Sequence, residues 1–339
     1  METIKRASWL ELFFDLVFVF AIAKATHVLA YLHDGHVAWS QYGIFLLIMI
    51  PIWWAWTGHT MFATRFDTED TGQRLLTLAQ MLAAVFLAAF VNPDFDSNYH
   101  GFLFSYVAIR VLLIFMYARA ASLLPEAGVI SKRLSIGFSL GLLVALGSLF
   151  VDPPWRYVVL YTGFAIEIVS PLFSRKALKE IPVNAHHMPE RFGLLTIILF
   201  GESVVAIAAK LGEQSWSPLT PLAAVNGFVV MTAAWWLYFD AHEERVIGQD
   251  LGAGQRILYG HLGIYCGLSI LSAAIGFAIS GELGIVDHAW MIGIGLVVFL
   301  GAMIFIHGRA LFTTAGRRAP AAILAAASGL MLLSGHLSG

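Results

Sequence analysis

Charged residues are scarce in this sequence. Asp, Glu, Lys and Arg make up 12% of its 339 residues, whereas hydrophobic residues make up 59% and the mean hydropathy is +0.77. Soluble domains are about 45–50% apolar and about 25% charged, so this chain has too little polar surface to cover a water-soluble globule. The composition therefore excludes cytosolic enzymes, secreted domains and disordered proteins, and it predicts a polytopic membrane protein.

A basic excess and a cysteine framework are also lacking. The net charge of −2 and the isoelectric point near 6.6 exclude a nucleic-acid partner, which would require a basic face. The single cysteine, Cys266, cannot form an internal disulfide. His33-x-x-His36 and His186-His187 have no further ligands at a metal-binding spacing. We therefore expect no bound metal and no cofactor.

Long apolar runs, by contrast, follow one another along the whole chain. A bilayer core of about 30 Å requires roughly 20 helical residues. The last of these runs, 319–336, is short and rich in alanine, so it is either a span or an interfacial helix. The first is not a cleavable signal peptide, because Glu11 and Asp15 interrupt its apolar core. Eleven runs qualify as predicted spans: 9–32, 41–60, 73–92, 101–121, 133–151, 155–174, 191–211, 221–241, 256–280, 289–307 and 319–336.

The basic residues are sorted between alternate loops. Arg156 and Lys210 are the only two in the opposite loops, and Lys24 and Arg110 lie within spans. The positive-inside rule then places the N-terminus in the cytoplasm. The remaining residues share one predicted side: Lys5, Arg6, Arg65, Arg74, Arg119, Lys132, Arg133, Arg175, Lys176, Lys179, Arg191, Arg245, Arg256, Arg309, Arg317 and Arg318.

Two halves of the sequence resemble each other. Gly72-Gln-Arg-Leu-Leu recurs as Gly254-Gln-Arg-Ile-Leu, and at the same shift Trp53-Trp54 falls on Trp235-Trp236. We interpret this as two parallel five-helix repeats, the kind found in some transporters. The predicted organisation is a first repeat at 1–152, a connecting sixth span and loop at 153–189, and a second repeat at 190–339. Chance similarity between Leu- and Ala-rich helices is the alternative.

Ionisable residues within the spans mark the candidate functional site, because charges at membrane depth are costly and are generally functional. The main candidates for a solute or ion pathway are Asp15, Arg110, Glu167, Glu202 and Ser203. An unpaired guanidinium at this depth is unfavourable, so we expect Arg110 to bind either Glu167 or Glu202 and to leave the other acid free to titrate. The secondary candidates are Glu11, Lys24 and His27.

Structural roles are the alternatives for these residues. Glu11 can act as a first-turn acid that favours the helix dipole. Lys24 can extend its ammonium group to the membrane surface, and His27 can be a packing residue. A structural ion pair is the alternative for Arg110, Glu167 and Glu202. Two Gly-x-x-x-Gly pairs, Gly137 with Gly141 and Gly263 with Gly267, predict close helix packing.

Two long motifs carry a family resemblance. They are the run from Trp9 to Ile22, WLELFFDLVFVFAI, and the run from Glu190 to Ser203, ERFGLLTIILFGES. Together they are similar to the bacterial low temperature requirement protein A family, and the similarity extends over essentially the whole chain. The resemblance implies a multi-pass protein of the bacterial inner membrane that is connected with growth in the cold. It implies no catalytic residues.

The sequence features bear on three functional classes: a transporter or channel, a scaffold or sensor, and an enzyme. A transporter or channel for a small solute or ion is favoured by the repeats and by the carboxylates within the spans. A scaffold or sensor in cold or stress adaptation is the alternative, and a homo-oligomer fits either. An enzyme is not expected, because no His-Glu-x-x-His or Gly-x-Gly-Asp pattern is present. The expected partners are the lipid bilayer and a small ion or solute.

Overall fold

A computed structural model describes residues 6–33, 35–66, 70–214, 219–243, 251–308 and 315–338. Within these ranges the chain is helical and has no β-strand apart from an isolated bridge between His33 and His36. The α-helices are α1 Trp9–Leu29, α2 Trp39–Ala63, α3 Thr71–Ala89, α4 Phe95–Leu123, α5 Gly128–Gly147, α6 Trp155–Phe173, α7 Arg175–Glu180, α8 His187–Glu213, α9 Leu219–Glu243, α10 Leu251–Ser280, α11 Ile285–His307 and α12 Ala315–Ser338.

The helices have the length and surface of membrane spans. In the described part of the chain, 10 are long and apolar enough to cross a bilayer, namely α1 to α6 and α8 to α11. Their outward faces carry large apolar side chains, such as Leu143, which is 65% exposed, and Val297, which is 72% exposed. Such continuous apolar exposure is unfavourable in water and favourable in lipid. The eleventh predicted span falls on α12, whose apolar stretch, Arg318–Leu332, is shorter, so its crossing stays a prediction.

Local sequence explains where several helices begin. The Asp70 side chain accepts a hydrogen bond from the Gln73 backbone at the start of α3, and Asp94 accepts one from the Ser97 backbone at the start of α4. Both are N-cap interactions that satisfy amide groups left open by the first helical turn. Many helices begin a few residues before the predicted spans, because they extend past the apolar core. The short helix α7 carries no apolar signal and was not predicted.

The chain divides into two compact units. The first contains residues 1–21 and 50–188, and the second contains residues 22–49 and 189–339. Helices α1 and α2 each contribute one part to each unit. In the first unit, α3 packs on α4, α4 on α5 and α5 on α6. In the second unit, α10 packs on α9, α11 and α12, and α9 also packs on α12.

Glycines bring pairs of helices into close contact within each unit. In the first unit, a Cβ added at Gly141 would lie 2.6 Å from the Gly163 carbonyl oxygen on α6. In the second, a Cβ at Gly267 would lie 2.6 Å from the Phe299 backbone nitrogen on α11, and Gly263 faces Ala302. The predicted packing role of both Gly-x-x-x-Gly pairs is confirmed.

Several basic residues assigned to loops, such as Arg74 and Arg119, lie near the ends of helices instead, and one of them is buried. Arg191 lies in the first turns of α8 and is fully buried. Hydropathy did not predict the burial of Arg191. Helix α8 begins four residues before the predicted span, so the first turns of the helix, including Arg191, pack inside the protein. Three other basic residues of the predicted cytoplasmic side, Lys5, Arg245 and Arg309, lie outside the described residues.

Candidate functional site

The first unit contains a buried ion pair between α4 and α6. Arg110 Nη2 lies 2.7 Å from Glu167 Oε2, and neither side chain has exposed surface. The same carboxylate oxygen accepts a hydrogen bond from Tyr106 Oη at 2.9 Å and one from Trp54 Nε1 at 3.2 Å. Of the two partners expected for Arg110, the structure has Glu167. The ion pair and the two hydrogen bonds on one oxygen tie α2, α4 and α6 together.

Aromatic rings complete the surroundings of the Arg110 guanidinium. Its carbon lies 4.5 Å from the centroid of the Phe138 ring, 5.8 Å from that of Trp54 and 6.0 Å from that of Tyr106. Among the described residues, its Nε and Nη1 atoms have no hydrogen-bond acceptor. Cation–π attraction from these rings therefore stabilises the guanidinium in addition to the ion pair. Gly58 on α2 lies against Nη1, where an added Cβ would meet the guanidinium.

The acidic residues of α1 are also engaged in the first unit. Asp15 is fully buried and accepts a hydrogen bond of 2.7 Å from Trp56 Nε1 on α2. Glu11 accepts a hydrogen bond from the Ser8 backbone at 2.8 Å, and its own backbone donates to Ser8 Oγ at 3.3 Å. These reciprocal bonds form a capping box. His187 Nε2 lies 3.4 Å from Glu11 Oε2.

Three of the predicted residues line a cavity in the second unit. The cavity has a volume of about 290 Å³ and lies between the later part of α1, the later part of α8 and the end of α10. Glu202 and Ser203 line it on α8, and His27 lines it on α1. Lys24 is not part of the described lining, and its side chain is exposed.

The polar groups of this cavity differ in their contacts. Lys210 Nζ forms a 2.8 Å ion pair with Glu213 Oε2. Ser203 Oγ donates to the Leu199 carbonyl at 3.1 Å. Neither an ion pair nor a hydrogen bond joins Glu202 to any residue that the structure describes. A carboxylate without a protein partner, in a cavity, is available to a solute.

A packed polar cluster follows the cavity along α8. Thr196 Oγ1 lies 3.2 Å from Tyr238 Oη, and Tyr238 Oη lies 2.8 Å from His261 Nε2. His261 Nδ1 lies 2.7 Å from the Ile257 carbonyl oxygen, so this nitrogen carries the ring hydrogen. Thr196 precedes Glu202 by six residues, about 9 Å along the helix. The cavity thus ends above a layer of buried, hydrogen-bonded side chains.

Sequence reasoning missed several of these buried groups. His59 Nδ1 lies 2.6 Å from Gln80 Oε1, and its ring stacks on Phe14 at a centroid distance of 3.9 Å. A polar residue inside an apolar helix is the signal that could have found Gln80. The Ser8-x-x-Glu11 spacing could likewise have predicted the capping box.

Comparison with known proteins agrees with this architecture. Residues 6–338 match the family described as bacterial low temperature requirement A protein. The chain belongs to this family. A relative is an uncharacterised protein of Rhizobium meliloti (strain 1021), which is 26% identical over 314 residues, 87% of this chain and 75% of the relative. This member of the low temperature requirement A family is a multi-pass membrane protein, as its apolar helices also indicate.

Proposed function

We propose that this protein is a transporter or channel for a small solute or ion, without enzymatic activity, and that the cavity at Glu202 is its binding site. The observation that carries the proposal is the position of Glu202. It lines a 290 Å³ cavity between apolar helices and has no hydrogen bond or ion pair with the described residues. A charged group in such a place is unfavourable unless a solute or proton uses it.

The two carboxylates predicted to compete for Arg110 have different roles in this proposal. Glu167 is neutralised by Arg110 and held by two further donors, so its role is structural. Asp15 receives a bond from Trp56 and is likewise part of the packed interior. Glu202 then remains as the carboxylate that is available to bind a cation from the cavity. We therefore assign the pathway to Glu202 and Ser203 and remove Asp15, Arg110 and Glu167 from it.

The proposed topology gives the cavity an external opening. With the N-terminus in the cytoplasm, α1 and α8 both run outward, and so does α10. The cavity is lined by the later residues of all three helices, from Ala23, Leu199 and Ser269 onward. Solute would then enter from outside the cell membrane and reach Glu202, while the Thr196–Tyr238–His261 layer closes the cytoplasmic side.

Internal contacts support the proposed repeat. Trp56 of the first unit and Tyr238 of the second are related by the shift that relates the two Trp-Trp pairs. Trp56 binds Asp15 on α1, and Tyr238 contacts Thr196 on α8, so an aromatic polar group meets the first helix of each proposed repeat. The Arg110–Glu167 pair has no such counterpart, because Glu167 lies in the connecting sixth span, outside both proposed repeats.

A flux measurement tests the proposal. Purified protein is reconstituted into liposomes, and uptake of a panel of ions and small solutes is compared with that of protein-free liposomes. We expect uptake of at least one solute, and we expect Glu202→Gln to reduce it at least tenfold. Glu126→Gln is the matched control, because Glu126 is exposed and lies in the first unit. Wild-type uptake equal to that of empty liposomes for the whole panel would favour a scaffold or sensor in cold adaptation.

A further inference from the structure

The shape of the cavity restricts what can occupy it. Its lining extends on α8 from Leu199 to Glu213 and on α10 from Ser269 to Ser280. At 1.5 Å per residue these stretches are about 21 and 16 Å long. The volume of about 290 Å³ corresponds to roughly ten water molecules at 30 Å³ each. The cavity is therefore long, and it has the capacity of a small organic molecule rather than that of a bare ion.

The charges of the lining favour a cation. Three carboxylates line the cavity: Glu202, Glu213 and Glu282. Lys210 is engaged with Glu213, which leaves Glu202 and Glu282 with no other lysine or arginine among the described lining residues. The excess is therefore negative, and an anion would be repelled along the whole path to Glu202.

A buried hydroxyl provides an independent indication of a ligand. Ser269 is 1% exposed and lines the cavity, yet its Oγ has no hydrogen-bond partner among the described residues. The Oγ of Ser280, a half-buried residue, also has no hydrogen-bond partner among the described residues. Buried hydroxyls generally have a partner, since an unsatisfied one costs roughly 1–3 kcal/mol. Ser269 can accept a hydrogen bond from a group within the cavity, as can the oxygen of Ser203.

The distribution of these oxygens is unsuited to a metal ion. In the described part of the chain, no three His, Cys, Asp or Glu residues are grouped as metal ligands. Ser269 and Ser280 are about 16 Å apart along α10, so they cannot coordinate the same ion. Apolar side chains lie between the polar ones, including Ala206, Ala273 and Phe277. This alternation suits a molecule with a charged donor group and a short hydrocarbon body.

We infer that the cavity binds a small organic ammonium ion. Its N–H groups donate to Glu202 and to the hydroxyl of Ser269, and its hydrocarbon part contacts Phe277 and the alanines. The inference names the substrate class of the proposed transporter, and in that respect it rests on the proposed function. Binding and flux are nevertheless separate properties and can be measured separately.

The test is a binding experiment on the detergent-purified chain. Thermal stability is measured with increasing n-butylammonium chloride, and the same titration is made with 1-butanol, sodium butyrate and potassium chloride at matched ionic strength. We expect butylammonium alone to raise the melting temperature in a saturable manner. Glu202→Gln and Ser269→Ala should each weaken the apparent affinity, by at least tenfold for Glu202→Gln. Glu126→Gln should leave it unchanged.

Each outcome has a definite reading. An equal shift with butanol, butyrate or potassium, or unchanged affinity in Glu202→Gln, would overturn the inference. The comparison among the four additives needs wild-type protein only, so it decides even if a variant does not fold. Butylammonium binding without flux in liposomes would retain the ligand class and contradict transport. Flux of another solute without butylammonium binding would support transport and contradict the ligand class.

Discussion

Arg110 of α4 and Glu167 of α6 are held 2.7 Å apart with no exposed surface on either side chain. The pair carries no net charge, and the contacts from Trp54 and Tyr106 to the same carboxylate oxygen fix its position. A buried pair of this kind contributes little when compared with apolar residues, but removing one partner leaves an uncompensated charge. Each side chain therefore depends on the other, as expected for a structural ion pair.

Breaking the Arg110–Glu167 pair should strongly destabilise the protein. We expect Arg110→Gln or Glu167→Gln to lower the free energy of unfolding by about 3–5 kcal/mol, because each substitution leaves the other charged side chain buried without its partner. The double variant should cost much less than the sum of the two. Unfolding in detergent of both singles and the double gives the coupling energy. Arg110→Gln combined with Glu202→Gln should be additive within about 0.5 kcal/mol, and coupling in that pair instead would refute the assignment.

The close approach of α5 and α6 should not tolerate a methyl group. Gly141→Ala places a Cβ 2.6 Å from the Gly163 oxygen and 3.1 Å from the Glu167 nitrogen, so the helices must separate. We expect a loss of about 1–3 kcal/mol. Gly128→Ala is the matched control on the same helix, since nothing lies within 4 Å of its added Cβ. Equal melting temperatures for the two variants would show that the helices are not in this contact.

An acid outside the spans should make stability depend on pH. The N-cap hydrogen bond from Gln73 and the Arg119 guanidinium lower the pKa of Asp70 below its usual value near 3.8. Because the folded-state pKa is lowered, the stabilisation is present at neutral pH and is lost as the pH falls through that pKa. Asp70→Asn should therefore lower the melting temperature at pH 7, and its difference from wild type should shrink toward pH 3.

Salt separates the two contributions of Asp70. The pKa of Asp94 is also lowered, by hydrogen bonds from Ser97, and none of its described contacts is with a cation. Added salt screens the exposed Asp70–Arg119 pair more than it affects a cap. We expect the effect of Asp70→Asn, and not that of Asp94→Asn, to diminish in high salt. An identical salt response would exclude a contribution from Arg119.

Cysteine labelling should find the cavity open to the cell exterior. The native Cys266 is buried, so a Cys266→Ala background leaves a single introduced thiol. In intact cells, a membrane-impermeant maleimide should label Ser272→Cys, which lines the cavity. Ser148→Cys is the control, because Ser148 is fully buried and does not line it. Labelling of Ser272→Cys only after the membrane is permeabilised would invert the proposed topology.

The sequence could predict the spans and the Arg110 pairing for a common reason. Both follow from the cost of polar groups in lipid, which depends on residue type and depth and little on tertiary detail. The choice between Glu167 and Glu202 was not predictable, because it depends on which helix packs against α4. The contact of α5 with α6 through Gly141 and Gly163 and that of α4 with α5 place Glu167 next to Arg110.

The cavity itself was not predictable. Its walls combine residues of α1, α8 and α10 that lie far apart in the chain. Ser269, the buried hydroxyl that indicates a ligand, is one of many small residues in a long apolar helix. An i→i−4 bond to its own backbone is the usual state of a serine in such a helix, as Ser203 shows with Leu199. Only the three-dimensional structure shows that Ser269 lacks this hydrogen bond.

The order of Arg110 and Glu167 along the chain has a consequence for biogenesis. During synthesis, α4 leaves the ribosome two helices before α6, so the translocon receives a guanidinium whose partner does not yet exist. Releasing that helix alone into lipid would cost about 2.5–3.5 kcal/mol for the arginine. Helix α4 is then expected to stay at the translocon until α6 arrives. A chain truncated after α5 should integrate α4 poorly, and Arg110→Leu should restore its integration.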